Sequence, residues 1–240
     1  GNLEEAIKAY NKALSIKPDY ADAYNNIGNA LQQQGKLEEA IVAYNNVLTL
    51  KPDFAEAYYN MGIAHQKQGN LEEAIEAYNK ALSIKPDYAD AYNIMGNVLK
   101  GQNKLEEAIE AYNKALVIKP DYADAYNNMG NAHQKQGNLE EAIEAYKKAL
   151  SSKPDYAEAY YNMGIAHQQQ GNLEEAVKAY NKALSIKPDY AEAYNNIGNA
   201  LQQQNKLEEA IEAYSKAIVI KPDYADAYNN MGNAHQKQGN

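Results

Sequence analysis

"ADAYNNMGNAHQKQGNLEEAIEAYKKALSSKPDY", residues 123–156, contains two helical patterns with a glycine between them and a proline after them. In each half, small or apolar residues recur at spacings of three and four, which is typical of one packed helical face. Gly137 can adopt the left-handed conformation that ends the first helix, and Pro154 stops the second because proline cannot continue a helix. The stretch therefore predicts a helical hairpin.

Polar residues beside the two helices indicate how each helix begins. Asp121 and Asp124 form a capping-box-like pair at the start of the first helix. Asn138 can cap the second helix, with Glu141 at the third helical position. We therefore expect side-chain caps at both helix starts.

The hairpin pattern is repeated along the whole chain, which has 240 residues. One proline, one helix glycine and one helix tyrosine return every 34 residues without an insertion. Asn103 and Asn205 replace the turn glycine, and asparagine is the next-best residue for left-handed backbone. A single hairpin cannot bury its apolar face alone, so this period predicts stacked hairpins that contact their neighbours. The prolines that define the register are Pro18, Pro52, Pro86, Pro120, Pro154, Pro188 and Pro222.

This pattern resembles the tetratricopeptide repeat family over the full length of the chain. The resemblance implies an all-α fold, in which helix-turn-helix units form an α-solenoid with a right-handed superhelical path. The family's usual tryptophan is tyrosine throughout, and its usual second tyrosine is histidine or leucine. The positions that match the family signature in the quoted unit are Tyr126, Met129, Gly130, Ala142, Tyr146, Ala149 and Pro154.

The resemblance also implies a single repeat array over residues 1–240. Residues 1–20 are expected to be a second-helix half-repeat, and residues 225–240 a first-helix half-repeat. The six full repeats predicted between them are 21–54, 55–88, 89–122, 123–156, 157–190 and 191–224.

The composition restricts the class of partner. The chain is 45% hydrophobic and 23% charged, which is typical of a folded protein. Its net charge of −9 argues against a nucleic-acid partner, which would favour a basic surface, and against binding to anionic membranes. The sequence has no cysteine, which excludes disulfides and thiol chemistry and leaves the cellular compartment open.

Residues that could carry catalysis or bind a metal fit structural roles better. The sequence contains no glycine-rich phosphate loop and no nucleophile elbow. Four histidines are spaced by 68, 34 and 68 residues, too far apart in stacked hairpins to share a metal ion. Glutamate pairs such as Glu140 and Glu141 suit the positive end of a helix dipole. We expect no catalytic residue, no metal site, no cofactor and no enzyme activity.

The polar face of the first helices is the candidate binding surface. The family resemblance implies that first helices line a concave groove. Sixteen asparagines lie on this face, although asparagine is a poor helix former. An amide carries both donors and an acceptor, so it can pair with a peptide backbone. The predicted groove residues are Asn25, Asn26, Asn29, Tyr59, Asn60, Ile63, Asn93, Asn97, Asn127, Asn128, Asn131, Tyr161, Asn162, Ile165, Asn195, Asn196, Asn199, Asn229, Asn230 and Asn233.

Part of this face is similar to the asparagine ladder in the repeats of O-linked N-acetylglucosamine transferases, which grips the backbone of extended substrate segments. The ladder is interrupted at Ile94, and no catalytic domain accompanies it. An acidic residue in the first turn of every first helix favours a partner with some positive charge. The ladder positions are Asn26, Asn60, Asn128, Asn162, Asn196 and Asn230.

The leading hypothesis is a non-enzymatic interaction scaffold that binds extended peptide segments of a protein partner. Two alternatives stay open. The chain can be a structural or self-assembling array, natural or engineered, without a dedicated ligand. It can also be the substrate-recruiting part of a larger enzyme. Because the pattern begins and ends within a repeat, we also expect head-to-tail self-association, with the helix at 225–238 packing on the helix at 3–17 of another chain.

Overall fold

The computed structural model describes residues 2–239, which form helices without any strand. This confirms the prediction of an all-α solenoid built from helical hairpins. In every full repeat a first helix of 13 or 14 residues is followed by a second helix of 14 residues. The helices are α1 (Leu3–Ile16), α2 (Ala21–Gln33), α3 (Leu37–Leu50), α4 (Ala55–Gln68), α5 (Leu71–Ile84), α6 (Ala89–Gly101), α7 (Leu105–Ile118), α8 (Ala123–Gln136), α9 (Leu139–Ser152), α10 (Ala157–Gln169), α11 (Leu173–Ile186), α12 (Ala191–Gln203), α13 (Leu207–Ile220) and α14 (Ala225–Gln238).

The turn between the two helices of a repeat depends on one residue with left-handed backbone. Gly137 has a φ of 83°, and Asn103 and Asn205 have φ values of 63° and 61° at the equivalent position. The prediction that these two asparagines replace the turn glycine is confirmed. Their left-handed conformation lets the chain reverse within two or three residues.

The predicted side-chain caps require correction. Helix α8 starts at Ala123 with Tyr122 at its N-cap position, and its first turn has no side-chain cap. The capping box of Asp121 and Asp124 is therefore wrong, because both carboxylates lie outside that position. Asn138 does occupy the N-cap of α9, but its side chain does not accept from the helix. Its Nδ2 donates instead to Gln136 Oε1 at 3.1 Å, across the turn.

A tyrosine packed on a glycine holds the two helices of each repeat together. A Cβ atom added to Gly130 would lie 2.5 Å from Tyr146 Cε1, well inside normal contact distance, so only glycine allows this approach. The tyrosine ring is fully buried, which contributes a large apolar area to each repeat. The buried tyrosines of the second helices are Tyr44, Tyr78, Tyr112, Tyr146, Tyr180 and Tyr214.

The chain divides into two compact units, residues 1–120 and 121–240. Helices α1–α7 belong to the first unit and α8–α14 to the second. Inside each unit, successive hairpins stack so that a first helix contacts the second helix before it, the second helix after it and the next first helix. That residues 1–240 form one continuous array stays a prediction.

None of the helices between residues 2 and 239 combines the length and the apolar character that crossing a membrane requires.

Candidate functional site

In four repeats, the last asparagine of the first helix binds the buried tyrosine of the same repeat. Tyr146 Oη lies 2.7 Å from Asn131 Oδ1 and 2.8 Å from Gln134 Oε1. A hydroxyl carries one proton and two lone pairs, so it donates to one amide and can accept from the NH₂ of the other. The Oδ1 atom of Asn131 is thereby engaged by the tyrosine, and the residue is half-buried. The predicted groove residues in this role are Asn29, Asn97, Asn131 and Asn199.

Burial shifts the titration of these tyrosines far from neutral pH. Loss of hydration disfavours the phenolate, which raises the pKa of Tyr214 to about 12 and that of Tyr146 further. The hydroxyls therefore stay protonated at neutral pH and can donate to the amides. These tyrosines serve packing, and none of them is suited to acid–base chemistry near neutral pH.

The first asparagine of each pair lies between neighbouring first helices. Asn127 is only 1% exposed, and its Oδ1 accepts from Asn162 Nδ2 of the next repeat at 3.1 Å. Asn195 accepts from Asn230 in the same way, also at 3.1 Å. In the first unit, Asn60 Nδ2 donates to Asn25 Oδ1 at 3.4 Å. These amides form hydrogen bonds between repeats.

This finding corrects three of the predicted groove residues. Asn93, Asn127 and Asn195 are buried, with at most 6% of their surface exposed, so they cannot contact a ligand in this arrangement. The sequence pattern divided each first helix into one packed face and one polar face. A first helix within a unit has helices on both sides, however, so part of its polar face is buried against the next repeat.

Two of the ladder asparagines keep hydrogen-bonding groups that their structural bonds do not use. Asn162 and Asn230 each donate from Nδ2 to the preceding repeat, and each remains partly exposed. One such bond uses one of the two N–H groups of an amide. The second N–H and the carbonyl oxygen are left, which is the pair that a peptide backbone can match. Asn26, at the start of the ladder, is exposed.

The two tyrosines that interrupt the asparagine pattern pack on neighbouring aromatic rings. The ring of Tyr161 lies 4.7 Å from that of Tyr190 and 5.8 Å from that of Tyr180, between centroids. Asn196 Nδ2 donates to Tyr161 Oη at 3.1 Å. Tyr59 makes the equivalent ring contacts in the first unit, at 4.8 Å and 6.1 Å. Both side chains are half-buried, so each contributes an edge to the surface.

One depression of about 370 Å³ opens on the first-helix face of the second unit. It brings together two predicted residues, Ile165 of α10 and Asn196 of α12. It is completed by side chains that the sequence interpretation did not select, namely Gln168, Gln169, Tyr180 and Gln203. The sequence did contain a signal for Gln168, because glutamine recurs at Gln134, Gln168 and Gln202 with the same 34-residue period.

The remaining predicted residues lie on first helices of one unit or the other. Ile63 is half-buried and packs on the core of the first unit. Asn128 is half-buried, like Asn25. Asn229 and Asn233 are exposed on α14, where the equivalent residues of earlier repeats are at least partly covered.

The four histidines, His65, His133, His167 and His235, lie on four different first helices. Between residues 2 and 239, no group of three histidine, aspartate or glutamate side chains is placed to hold a metal ion. His133 and His167 are half-buried, and loss of hydration lowers the pKa of both imidazoles. Nearby carboxylates, Glu141 and Glu175, oppose that shift. Both Nδ1 atoms are buried, and neither has a hydrogen-bond partner among the residues that the structure describes.

Family models match the sequence along its length. A model described as "TPR repeat" matches residues 1–35, 28–69, 96–137 and 198–239. Models described as "Tetratricopeptide repeat" match residues 121–189, 55–88, 77–110 and 179–212. No curated protein sequence gives a significant match.

Solved structures support the same assignment. The chain is 33% identical to MamA over 69% of its own length and 97% of that chain, with a TM-score of 0.64. It is 27% identical to YrrB, described as "a TPR protein with an unusual peptide-binding site", over 78% of this chain and 96% of that one, with a TM-score of 0.63. The APC/C hetero-tetramer Cut9–Hcn1 shares the fold at 18% identity, with a TM-score of 0.74. That match covers 98% of this chain but only 46% of the matched chain.

Proposed function

Because this chain belongs to the tetratricopeptide repeat family, we propose that it is a non-catalytic scaffold that binds extended peptide segments of other proteins along its first helices. A solved relative, YrrB, is described by its peptide-binding site, which supports the same class of ligand here. The architecture favours such a ligand, since repeated first helices present equivalent groups at regular intervals.

The observation that carries the proposal is the depression between α10 and α12. It combines one apolar side chain, Ile165, with the amides of Gln168, Asn196 and Gln203. An apolar wall with a few convergent polar groups is the usual composition of a ligand site. Gln168 Oε1 is engaged by Tyr180 Oη at 2.8 Å, which fixes the amide and directs its NH₂ group away from the tyrosine.

The ligand class follows from the chemistry of the amides. Each can donate to a peptide carbonyl and accept from a peptide N–H, and neither interaction depends on the side chain of the ligand. The hydroxyls of Tyr180 and Tyr161 hold the amides of Gln168 and Asn196 in place before a ligand arrives, which lowers the entropy cost of binding. We therefore expect broad recognition of extended backbone, with Ile165 and Tyr161 selecting for an apolar side chain.

The experiment is a peptide-array screen with unrelated extended peptides, followed by calorimetric titration of the tightest binder. Gln203→Ala combined with Ile165→Ala should weaken binding by about tenfold or more, since it removes an amide and the apolar wall together. Asn46→Ala is the matched control, because Asn46 is exposed on the second helix α3. Equal affinities for both variants, or no peptide bound at all, would contradict the proposal.

A further inference from the structure

We propose that the depression between α10 and α12 selects proline-rich segments, whose backbone offers carbonyl oxygens without N–H groups; this inference rests on the peptide-binding function proposed above. Two glutamines in its lining have carbonyl oxygens that the protein itself engages. Gln168 Oε1 accepts from Tyr180 Oη at 2.8 Å. Gln169 Oε1 accepts from Gln134 Nε2 of α8 at 2.9 Å. These bonds leave two N–H groups and one lone pair on each amide, so the pair offers a ligand more donors than acceptors.

The orientation of the Gln168 amide follows from the residue beside its tyrosine. In the preceding repeat, the hydroxyl of Tyr146 lies near two amide oxygens, one of them on Asn131. Ile165 stands at the position of that asparagine in the repeat of Tyr180, so no second amide from this position competes for the tyrosine proton. Tyr180 therefore donates to Gln168, whose NH₂ group is left for a ligand.

The corresponding residues of the first unit follow the same rule. Tyr78 Oη donates to Gln66 Oε1 at 2.8 Å, which again engages the oxygen of the glutamine. Lys67 is exposed on α4 at the position that Gln169 holds in the second unit. A lysine carries donors and no acceptor, so both units offer donors at this position.

Donors of this kind suit either a carboxylate or peptide carbonyls, and the surrounding charge favours the neutral group. Burial raises the pKa of Tyr161, and the negative charge of Glu192 raises it further. Tyr161 accepts from Asn196, which lines the depression, so this carboxylate acts close to the ligand site. A ligand carboxylate would be repelled by Glu192 and by the net charge of −9, whereas a peptide carbonyl carries no net charge.

Proline is the residue that supplies a carbonyl oxygen without an N–H group of its own. In other extended peptides each residue brings an N–H that would leave water and find few acceptors here, which costs free energy. A polyproline II segment also forms before binding, which lowers the entropy cost. Ile165 and Tyr161 pack on one core cluster beside the amides, and they offer the apolar and aromatic surface on which proline rings pack.

Fluorescence anisotropy with the full chain compares three labelled peptides of equal length. One is proline-rich, and the other two carry alanine or glutamate in place of the prolines. The proline-rich peptide should bind about tenfold more tightly than the alanine peptide, because alanine restores the N–H groups. Equal or tighter binding of the alanine peptide overturns the selection for proline. Tighter binding of the glutamate peptide also overturns it and identifies a carboxylate site.

These results separate the inference from the peptide-binding function on which it rests. If peptides from the array bind but the proline-rich one does not, only the selection for proline fails. If no peptide binds at all, both fail.

Variants of the two glutamines test the donors directly. Gln168→Glu keeps an oxygen for Tyr180 but removes the NH₂ group, so it should weaken the proline-rich peptide by about tenfold. Gln169→Glu should also weaken it, whereas Gln169→Lys, which copies Lys67 and keeps donors, should bind like the wild type. Asn181→Asp is the control, because it adds the same charge on an exposed residue of α11. Circular dichroism verifies folding, and equal affinities for Gln169→Glu and Gln169→Lys would overturn the proposal.

Discussion

The contact between Gly130 and Tyr146 leads to a prediction that can be worked out atom by atom. In Gly130→Ala, the new Cβ would lie 2.5 Å from Cε1, 2.8 Å from Cδ1 and 2.9 Å from Cζ of the tyrosine ring. Carbon atoms in contact prefer separations of about 3.5–4.0 Å, so the ring must move by about 1 Å. The ring cannot do so freely, because it is fully buried and its hydroxyl is bound to Asn131 and Gln134.

The expected loss in free energy of unfolding is about 2 kcal/mol. Overpacking a filled site costs about 1–3 kcal/mol, and weakening the hydroxyl bonds costs about 1 kcal/mol more. Alanine offsets about 1 kcal/mol of this, since it favours the helical backbone over glycine. Gly232→Ala gives the opposite sign, because its Cβ meets no atom within 4 Å. It should stabilise the monomer by up to about 1 kcal/mol.

The assay is urea unfolding followed by circular dichroism, at a concentration at which sedimentation shows monomers. A double variant, Gly130→Ala with Tyr146→Leu, should be less destabilised than the two single changes added together, because the smaller side chain leaves room for the new methyl group. Equal urea midpoints for Gly130→Ala and Gly232→Ala, or strictly additive effects in the double variant, would refute the steric reasoning.

Three further predictions concern the histidines, the asparagines and the acidic first turns. Burial holds the pKa of His133 and His167 below its unfolded value of about 6.5, so their contribution to stability is complete above that pH and is lost as pH falls through the folded pKa. Replacing both with leucine, His133→Leu with His167→Leu, should make the urea midpoint depend less on pH between about pH 7 and 5, because the titrating imidazoles are removed. Leucine should fit, since it is buried at the equivalent position of other repeats. An unchanged pH profile contradicts this. Asn127→Ala should lower the free energy of unfolding by about 1–3 kcal/mol, because it leaves the amide of Asn162 without its acceptor. The control, Asn26→Ala, should change it by less than about 0.5 kcal/mol, because Asn26 is exposed. Equal urea midpoints for the two variants would argue against the inter-repeat bond. Peptides with lysine or arginine should bind more tightly than neutral ones at low salt and lose that advantage near 1 M salt in fluorescence titrations. The reason is that Asp22, Glu56 and Glu192 are 43–54% exposed and only loosely paired with lysines of the chain, at 3.6–4.0 Å. A preference that salt does not change would exclude this role.

The fold was predictable from the sequence because its determinants are local. Gly137 and Pro154 set the ends of the two helices, and the 34-residue period fixed the number of hairpins. Even the left-handed backbone of Asn103 followed from the alignment of the repeats. Each of these features depends on residues close together in the chain, where propensity and steric rules apply directly.

The roles of the asparagines were predictable only in part. Helical periodicity places Asn127 on the polar face but does not show which neighbour lies against that face. The bond from Asn162 to Asn127 joins residues 35 apart, one repeat and one residue. Its existence depends on how closely successive first helices approach, which is decided by packing rather than by local propensity. A polar residue at a helix–helix contact and one in an open groove produce the same sequence pattern.

The amide bond between Asn162 and Asn127 has a consequence for cooperativity. In a linear array, stability is the sum of a term for each repeat and a coupling term for each junction. The Tyr146–Gly130 contact lies within one repeat and belongs to the first term, whereas the amide bond belongs to the second. Cutting such amide bonds at several junctions should therefore let repeats unfold more independently and broaden the transition. The asparagines of this chain can thus set how far a disturbance at one hairpin spreads to the next.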